Sequence, residues 1–261
     1  MPHLIGTGAR MTRRAALAAL ALLGGTLAVT GLPTPAGRGH DGLAEGNGRR
    51  AGRKGMAGGA GLSLLLTGEA RAAQDTIPLP PPDIGNAANA AGGKPLMQAL
   101  AGRASTRSFR KDAIPDQMLG ELLWAAWGIN RPDGRRTVPT ARNRQGMDVY
   151  VVRADGAWRY DGAAHALERA AAEDLRPLLA RQSFVAAAPV TLVYTAAASE
   201  EPVYAAMHAG SMYQGAGLYC AAAGLGNVVR ASYDTDALHA ALHLPADRRI
   251  VISQTVGWPG N

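Results

Sequence analysis

Arg103-Ala104-Ser105-Thr106-Arg107 follows a short apolar helix pattern, Leu96 to Gly102, and sets two guanidiniums and a hydroxyl at alternate positions of an extended stretch. Alternate side chains of extended backbone face one side. Arg103, Ser105 and Arg107 therefore form a forked donor set suited to a phosphate. On spacing alone a solvated basic loop is the simpler account, so the decision rests on the segments around it.

Downstream, Pro115 to Trp127 reads as a helix with proline in its first turn and one apolar stripe of Met118, Leu119, Leu122, Leu123, Ala126 and Trp127. Met147 to Val152 and Val190 to Tyr194 are β-rich. The Asp155-Gly156 pair between Val152 and Trp158 predicts a hairpin. Pro202 to Ala223 is a long helix ended by Gly224, rich in Ala, Gly and Ser, which lets another backbone come close. Asp236 to Leu242 predicts a further helix, and Arg249 to Val256 a last strand. With helices first, strands interleaved later and no repeat of 20 to 50 residues, the pattern argues for one α+β domain.

Upstream, the composition changes. The 261 residues carry +7, but residues 1 to 72 hold nine Lys/Arg against three Asp/Glu, and residues 73 to 261 hold eighteen against seventeen. Sixteen of the 33 glycines also fall in the first 72 residues. The basicity that would suggest nucleic acid thus belongs to a leader, and no nucleic-acid partner is expected. Thr12-Arg13-Arg14, the uncharged stretch Ala15 to Leu32 and Pro33 have the order of an export signal, with the arginine pair pointing to the twin-arginine route. Residues 1–36 are read as that signal peptide, with Thr34-Pro35-Ala36 one candidate cleavage site and Ala70-Arg71-Ala72 another. Residues 37–93 are read as a disordered Gly/Arg/Pro-rich linker that includes Pro78 to Pro82, and residues 94–261 as the folded domain. The protein is then periplasmic or extracytoplasmic, and it meets a membrane only through an uncleaved leader.

The chemistry is narrowed by exclusion. No GxSxG, GxxxxGKS or HExxH occurs, which removes the core motifs of nucleophile-elbow hydrolases, P-loop proteins and zincins. His239 and His243 stand four apart on a predicted helix but lack a third ligand nearby, and no metal site is expected. Cys220, the only cysteine, lies in an apolar helix and reads as a buried small residue. No catalytic acid or base stands out.

Four segments in order carry a resemblance. They are Arg103-x-Ser-x-Arg107 with the helix end Trp124-x-x-x-Gly128, then Pro139-Thr140-Ala141-Arg142-Asn143-Arg144-Gln145, then Gly224-Leu225-Gly226, then Val256-Gly257-Trp258-Pro259. Together, across some 165 residues, they resemble the nitroreductase superfamily of flavin enzymes, and the compact body looks most like its azoline-oxidase-like, single-domain branch.

The resemblance implies a mainly antiparallel central sheet flanked by helices, in a homodimer with FMN at the subunit interface. It implies an FMN-dependent oxidoreductase that passes hydride or electrons through flavin N5 to or from a small organic substrate, with NAD(P)H as a candidate donor. The alternative is a flavin-free binding or maturation protein on the same fold. Carried over by position, Arg103, Ser105 and Arg107 would hold the phosphate, ribityl chain and pyrimidine edge. Pro139, Thr140 and Ala141 would reach the flavin from the other subunit. Gln182, and Gly224 and Gly226 with the turn after them, would lie along the ring or its tail. The chain departs from the family pattern at its end: the basic pair that usually follows Val-Gly-x-Pro is missing, leaving Arg230, Arg248 or Arg249 as substitutes for the phosphate site.

Overall fold

A computed structural model describes residues 75–84 and 93–260, all within the compact unit Met56–Asn261. The proposed export signal lies outside the described residues, as does most of the proposed linker. The elements are β1 (Thr76–Pro78), α1 (Leu96–Gly102), α2 (Asp116–Trp127), β2 (Met147–Arg153), β3 (Gly156–Asp161), β4 (Ala166–Ala171), α3 (Arg176–Leu179), β5 (Val190–Ala197), α4 (Pro202–Ala223), β6 (Gly226–Arg230), α5 (Thr235–Ala241) and β7 (Arg248–Gly257). The strands form one sheet in the order β1-β4-β3-β2-β5-β7-β6. Every neighbouring pair is antiparallel.

The two-residue period of the strands builds two cores. Along β2, Met147, Val149 and Val151 face a cluster shared with Leu119, Leu122, Leu123 and Ala126 of α2 and Met212, Ala216 and Cys220 of α4. Tyr150 and Val152 face the opposite cluster, with Leu179 of α3 and Leu238 of α5. The sheet is thus covered on both faces, which explains why β5 is buried along nearly its whole length. On α4 the small residues let α2 approach: a Cβ on Gly215 would sit 2.6 Å from the Ala125 carbonyl oxygen.

The domain begins earlier than residue 94. Thr76–Pro78 pairs with β4 at the edge of the sheet, where a proline costs no ladder hydrogen bond. The segment continues across α2: Leu79 N donates to His165 O at 3.0 Å, and Gln117 Nε2 donates to Pro81 O at 2.9 Å. The polyproline entry is therefore a strap on the body, held by the His165 carbonyl and ring and by the Gln117 and Glu121 side chains, all more than 30 residues away. Strand β4, ALERAA, is made of helix formers and carries no strand signal of its own; pairing with β3 on one side and β1 on the other overrides its propensity. The turn expected after Gly226 is instead strand β6, paired along β7. Among the described residues no helix is long and apolar enough to cross a membrane.

Candidate functional site

Arg103 ends α1 in extended conformation, φ −63° and ψ 118°. The chain then runs along the free edge of β6. Ser105 and Asn227 form a parallel bridge, and Thr106 N donates to Asn227 O at 2.9 Å. Further on, Arg110 N donates to Trp258 O at 2.9 Å and Gly260 N to Ser108 O at 2.8 Å, so the same segment also edges the tail that follows β7. The first and last of the four sequence segments are hydrogen-bonded neighbours.

Alternation along this edge separates two sets of side chains. Ala104 and Thr106 line a cavity of about 240 Å³ together with Lys94, Gly224, Asn227 and Pro259. Arg103, Ser105 and Arg107 are exposed and do not line it. Among the described residues neither guanidinium has a carboxylate within ion-pairing distance. The cavity sits at the C-terminal end of α4, where the helix dipole is negative and opposes a bound anion by a few tenths of a kcal/mol to about 1 kcal/mol. An anion here depends on side-chain cations; Lys94 lines the cavity, and Arg103 and Arg107 stand on the adjoining edge. Lys94 was not singled out in the sequence, because nothing local marks a lone lysine before a helix.

The two glycines of Gly224-Leu225-Gly226 have different tasks. Gly224 caps α4 in the left-handed region, φ +76°, and has open space where a Cβ would stand. At Gly226 a Cβ would lie 2.7 Å from Thr106 Cγ2 and 2.8 Å from Thr106 Cβ and Oγ1. Gly226 therefore seats the Arg103–Arg107 segment. It is buried.

Pro139, Thr140 and Ala141 lie elsewhere in the protomer. They lead into a short turn at Ala141–Asn143, and Pro139 and Thr140 border a cavity of about 500 Å³ also lined by Arg131, Arg135, Arg136 and Arg142. Arg136 is pinned there: it stacks on Trp127 with its guanidinium carbon 4.3 Å from the ring centre, and donates to Trp127 O at 2.6 Å and Gln145 Oε1 at 2.8 Å. Burial pushes its pKa down from the usual arginine value. The Ala141 N–H donates to His208 Nε2 at 2.8 Å. His208 lies near the start of α4, and Gly224 at its end is sixteen residues on, about 24 Å at the helical rise. Within one protomer, the Arg103 and Thr140 segments occupy opposite ends of that helix.

The remaining candidates are sorted by their contacts. Gln182 is exposed on the loop before β5, two residues from Phe184, whose ring centre is 6.3 Å from that of Phe109. That places Gln182 at the Arg107 end. The three arginines considered for the phosphate site are committed within the protein. Arg230 donates to Thr255 Oγ1 at 3.1 Å and to the Ser232 and Leu179 carbonyls. Arg248 pairs with Asp148 at 2.8 Å, and Arg249 donates to the Ala197 and Glu200 carbonyls. Both stand at the start of β7, whereas Gly226 pairs with Gly257 at its far end. Among the described residues, Lys94 is better placed than any of the three. His239 Nε2 is 2.7 Å from Arg248 O.

The comparisons with known proteins fit this arrangement. The sequence profile of the Nitroreductase family matches residues 100–258. A protein of Methanocaldococcus jannaschii, provisionally assigned as a nitroreductase, is 29% identical over 162 residues, which is 54% of this chain and 81% of that protein. A crystal structure of a provisionally assigned nitroreductase from Ralstonia eutropha JMP134 has a TM-score of 0.66 and 39% identity, over 72% of this chain and 90% of that one. A similar assignment from Desulfovibrio desulfuricans, solved in complex with FMN, shares the fold at 22% identity and a TM-score of 0.50, covering 64% and 88% of the two chains. The ordered juxtaposition of the Arg-x-Ser-x-Arg edge, the glycine-capped helix and the Val-Gly-x-Pro tail is matched by a family profile spanning that same stretch, and the chain belongs to the nitroreductase family.

Proposed function

We propose that this protein is an FMN-dependent oxidoreductase acting on a small organic substrate, with two equivalent flavin sites in a homodimer. The observation that carries the reading is the edge Arg103–Arg107: two guanidiniums and a hydroxyl on one face, with no neutralising carboxylate among the described residues, beside a cavity reached by Lys94. That donor set suits a phosphorylated cofactor, and a relative of the same fold was solved with FMN. Bound FMN would supply hydride or electron transfer at N5. The chain's own residues bind and orient it. Arg103 and Lys94 suit the phosphate, Ser105 the ribityl chain, and Arg107 the N1/O2 edge, where a fixed positive charge favours the reduced, anionic ring.

The dimer follows from the spacing along α4. His208, which holds Ala141, and Gly224, beside the Arg103 edge, are about 24 Å apart along α4, so a flavin on that edge meets a Pro139–Ala141 segment more readily from a second copy. Exposed apolar side chains fit for such contacts stand on α1, as Leu96, Met97 and Leu100, and on the first turns of α4, as Val203, Tyr204 and Met207. The arginine-lined cavity beside Thr140 would attract an anionic electron donor, which suits reduced nicotinamide nucleotides. Placement in the azoline-oxidase-like branch and export by the twin-arginine route are further parts of the proposal. Export would make a donor other than nicotinamide the natural choice.

The test is direct. The purified protein should be yellow, with FMN as the chromophore released on denaturation, whereas a colourless protein that takes up no added FMN overturns the reading. The double variant Arg103→Ala/Arg107→Ala should release the flavin, losing about 3 to 6 kcal/mol of charge-assisted hydrogen bonds. Undiminished retention would place the phosphate elsewhere.

A further inference from the structure

We infer that His208, backed by Glu200, is a positioning residue that presents the Pro139–Ala141 segment to the flavin; the inference rests on the FMN reading above. His208 stands on the second turn of α4 with its side chain 5% exposed, and Glu200, just before the helix, is 3% exposed. A backbone N–H can only donate, so the 2.8 Å contact from Ala141 N requires a lone pair on His208 Nε2. The neutral ring then carries its proton on Nδ1. That atom faces Glu200 Oε2 at 3.7 Å, and neither atom has a hydrogen-bond partner. The distance is too long for a hydrogen bond but close enough for the carboxylate to favour the tautomer with its proton on Nδ1. Glu200 thus keeps the acceptor lone pair on the nitrogen that holds Ala141.

The surroundings show what is being held. Immediately after Ala141, Arg142 and Asn143 both adopt left-handed backbone, φ 54° and 53°, a region non-glycine residues enter rarely. The turn closes through Asn143 N to Thr140 O at 3.2 Å and Arg144 N to Ala141 O at 3.0 Å. A turn with two such residues in succession is not set by local preference. It needs an anchor from outside, and His208 provides one. The same loop wraps the other half of the pair: a Cβ on Gly146 would lie 2.7 Å from Glu200 Cγ, and Ala197 N donates to Gly146 O at 2.8 Å. Tyr204 covers the imidazole, nearly parallel at 6.3 Å between ring centres. An apolar side chain would fill this space without leaving two buried polar atoms unpaired. A buried pair that bears that cost calls for an explanation, and the one at hand is a fixed orientation for the segment that meets the flavin.

The experiment compares full-length wild type with His208→Leu, His208→Gln and Glu200→Gln, measuring FMN dissociation constants by flavin fluorescence, flavin visible spectra and melting temperatures. Leucine fills the volume but accepts no hydrogen bond, and glutamine places an acceptor near the Nε2 position. His208→Leu should weaken FMN binding about tenfold or more and shift the visible band, with His208→Gln within about threefold of wild type and Glu200→Gln between them. FMN binding within twofold of wild type in all three variants overturns the inference, as does a glutamine variant as impaired as the leucine one, since volume alone would then matter. Should His208→Leu fail to fold, Glu200→Gln decides, because it keeps the shape and removes only the charge; unchanged FMN binding and spectrum would overturn the inference. Wild-type protein that takes up no FMN would defeat the flavin reading and this inference together, whereas a flavin-binding wild type with unaffected variants defeats this inference alone.

Discussion

Gly226→Ala tests how the proposed phosphate-binding edge is seated. The new methyl would lie 2.7 Å from Thr106 Cγ2 and 2.8 Å from its Cβ and Oγ1, against about 3.4 Å for ordinary contact. The segment must therefore move by about 0.7 Å. Threonine has few rotamers with which to yield, and two of the three clashing atoms are its branches. The backbone must lift from β6, weakening the 2.9 Å bond from Thr106 N to Asn227 O. Overpacking of this kind costs about 1 to 3 kcal/mol, or roughly 2 to 12 °C in melting temperature for a domain of this size. Because Ser105 and Arg107 flank Thr106, FMN affinity should also fall about tenfold. Gly224→Ala is the control: nothing lies within 4 Å of the new Cβ, and only the left-handed φ of +76° is penalised, at about 1 kcal/mol. Thermal unfolding and flavin fluorescence on the two variants separate the effects. Wild-type stability and FMN affinity in Gly226→Ala would refute the close approach of Thr106, and an equal loss of FMN affinity in Gly224→Ala would show that the cavity, not the edge, is what was disturbed.

Three further outcomes follow from two buried groups and one surface carboxylate. Glu121 accepts from Tyr219 OH at 2.7 Å and Gln117 Nε2 at 2.9 Å, so Glu121→Leu should destabilise by about 2 to 3 kcal/mol in urea unfolding and expose the strap around Pro80 to protease. Cys220 is fully buried and burial pushes its thiol up, so thiol reagents should label it only as the protein unfolds; fast labelling of folded protein would contradict its place in the core. The hydrogen bond from Arg176 holds the Asp174 carboxyl below the usual carboxylate range. A lowered acid favours the fold above its unfolded pKa near 4 and loses that contribution as pH falls through the lowered value. Asp174→Asn should therefore be less stable than wild type at pH 6, with the difference shrinking as the pH falls below about 4 and through the lowered value.

Local signals carried much of the fold. The helix expected over Leu96 to Gly102 is α1 to the residue, the apolar stripe from Met118 to Trp127 faces the core, and Asp155-Gly156 turns β2 into β3. Missing were the elements whose identity comes from their neighbours. β4 is strand only because β1 and β3 flank it, β6 because β7 pairs with it, and the strap from Thr76 because its partners stand on α2, β4 and the His165 turn. In the site, Arg103, Ser105 and Arg107 were legible because their alternation is local. Lys94 was not, since its relevance is a matter of which cavity it reaches.

The amino-acid order alone determined the donors at alternate positions, the helix that ends at Gly224, and the four segments that mark the family, because each depends on spacing over a few residues. Only the tertiary structure decided that Gly226 serves Thr106, and that Arg230, Arg248 and Arg249 are already committed. It likewise decided that Ala141 hangs on a histidine 67 residues away. These are contacts between segments distant in the chain, set by which faces the sheet and the long helix bury together, and no local period encodes them.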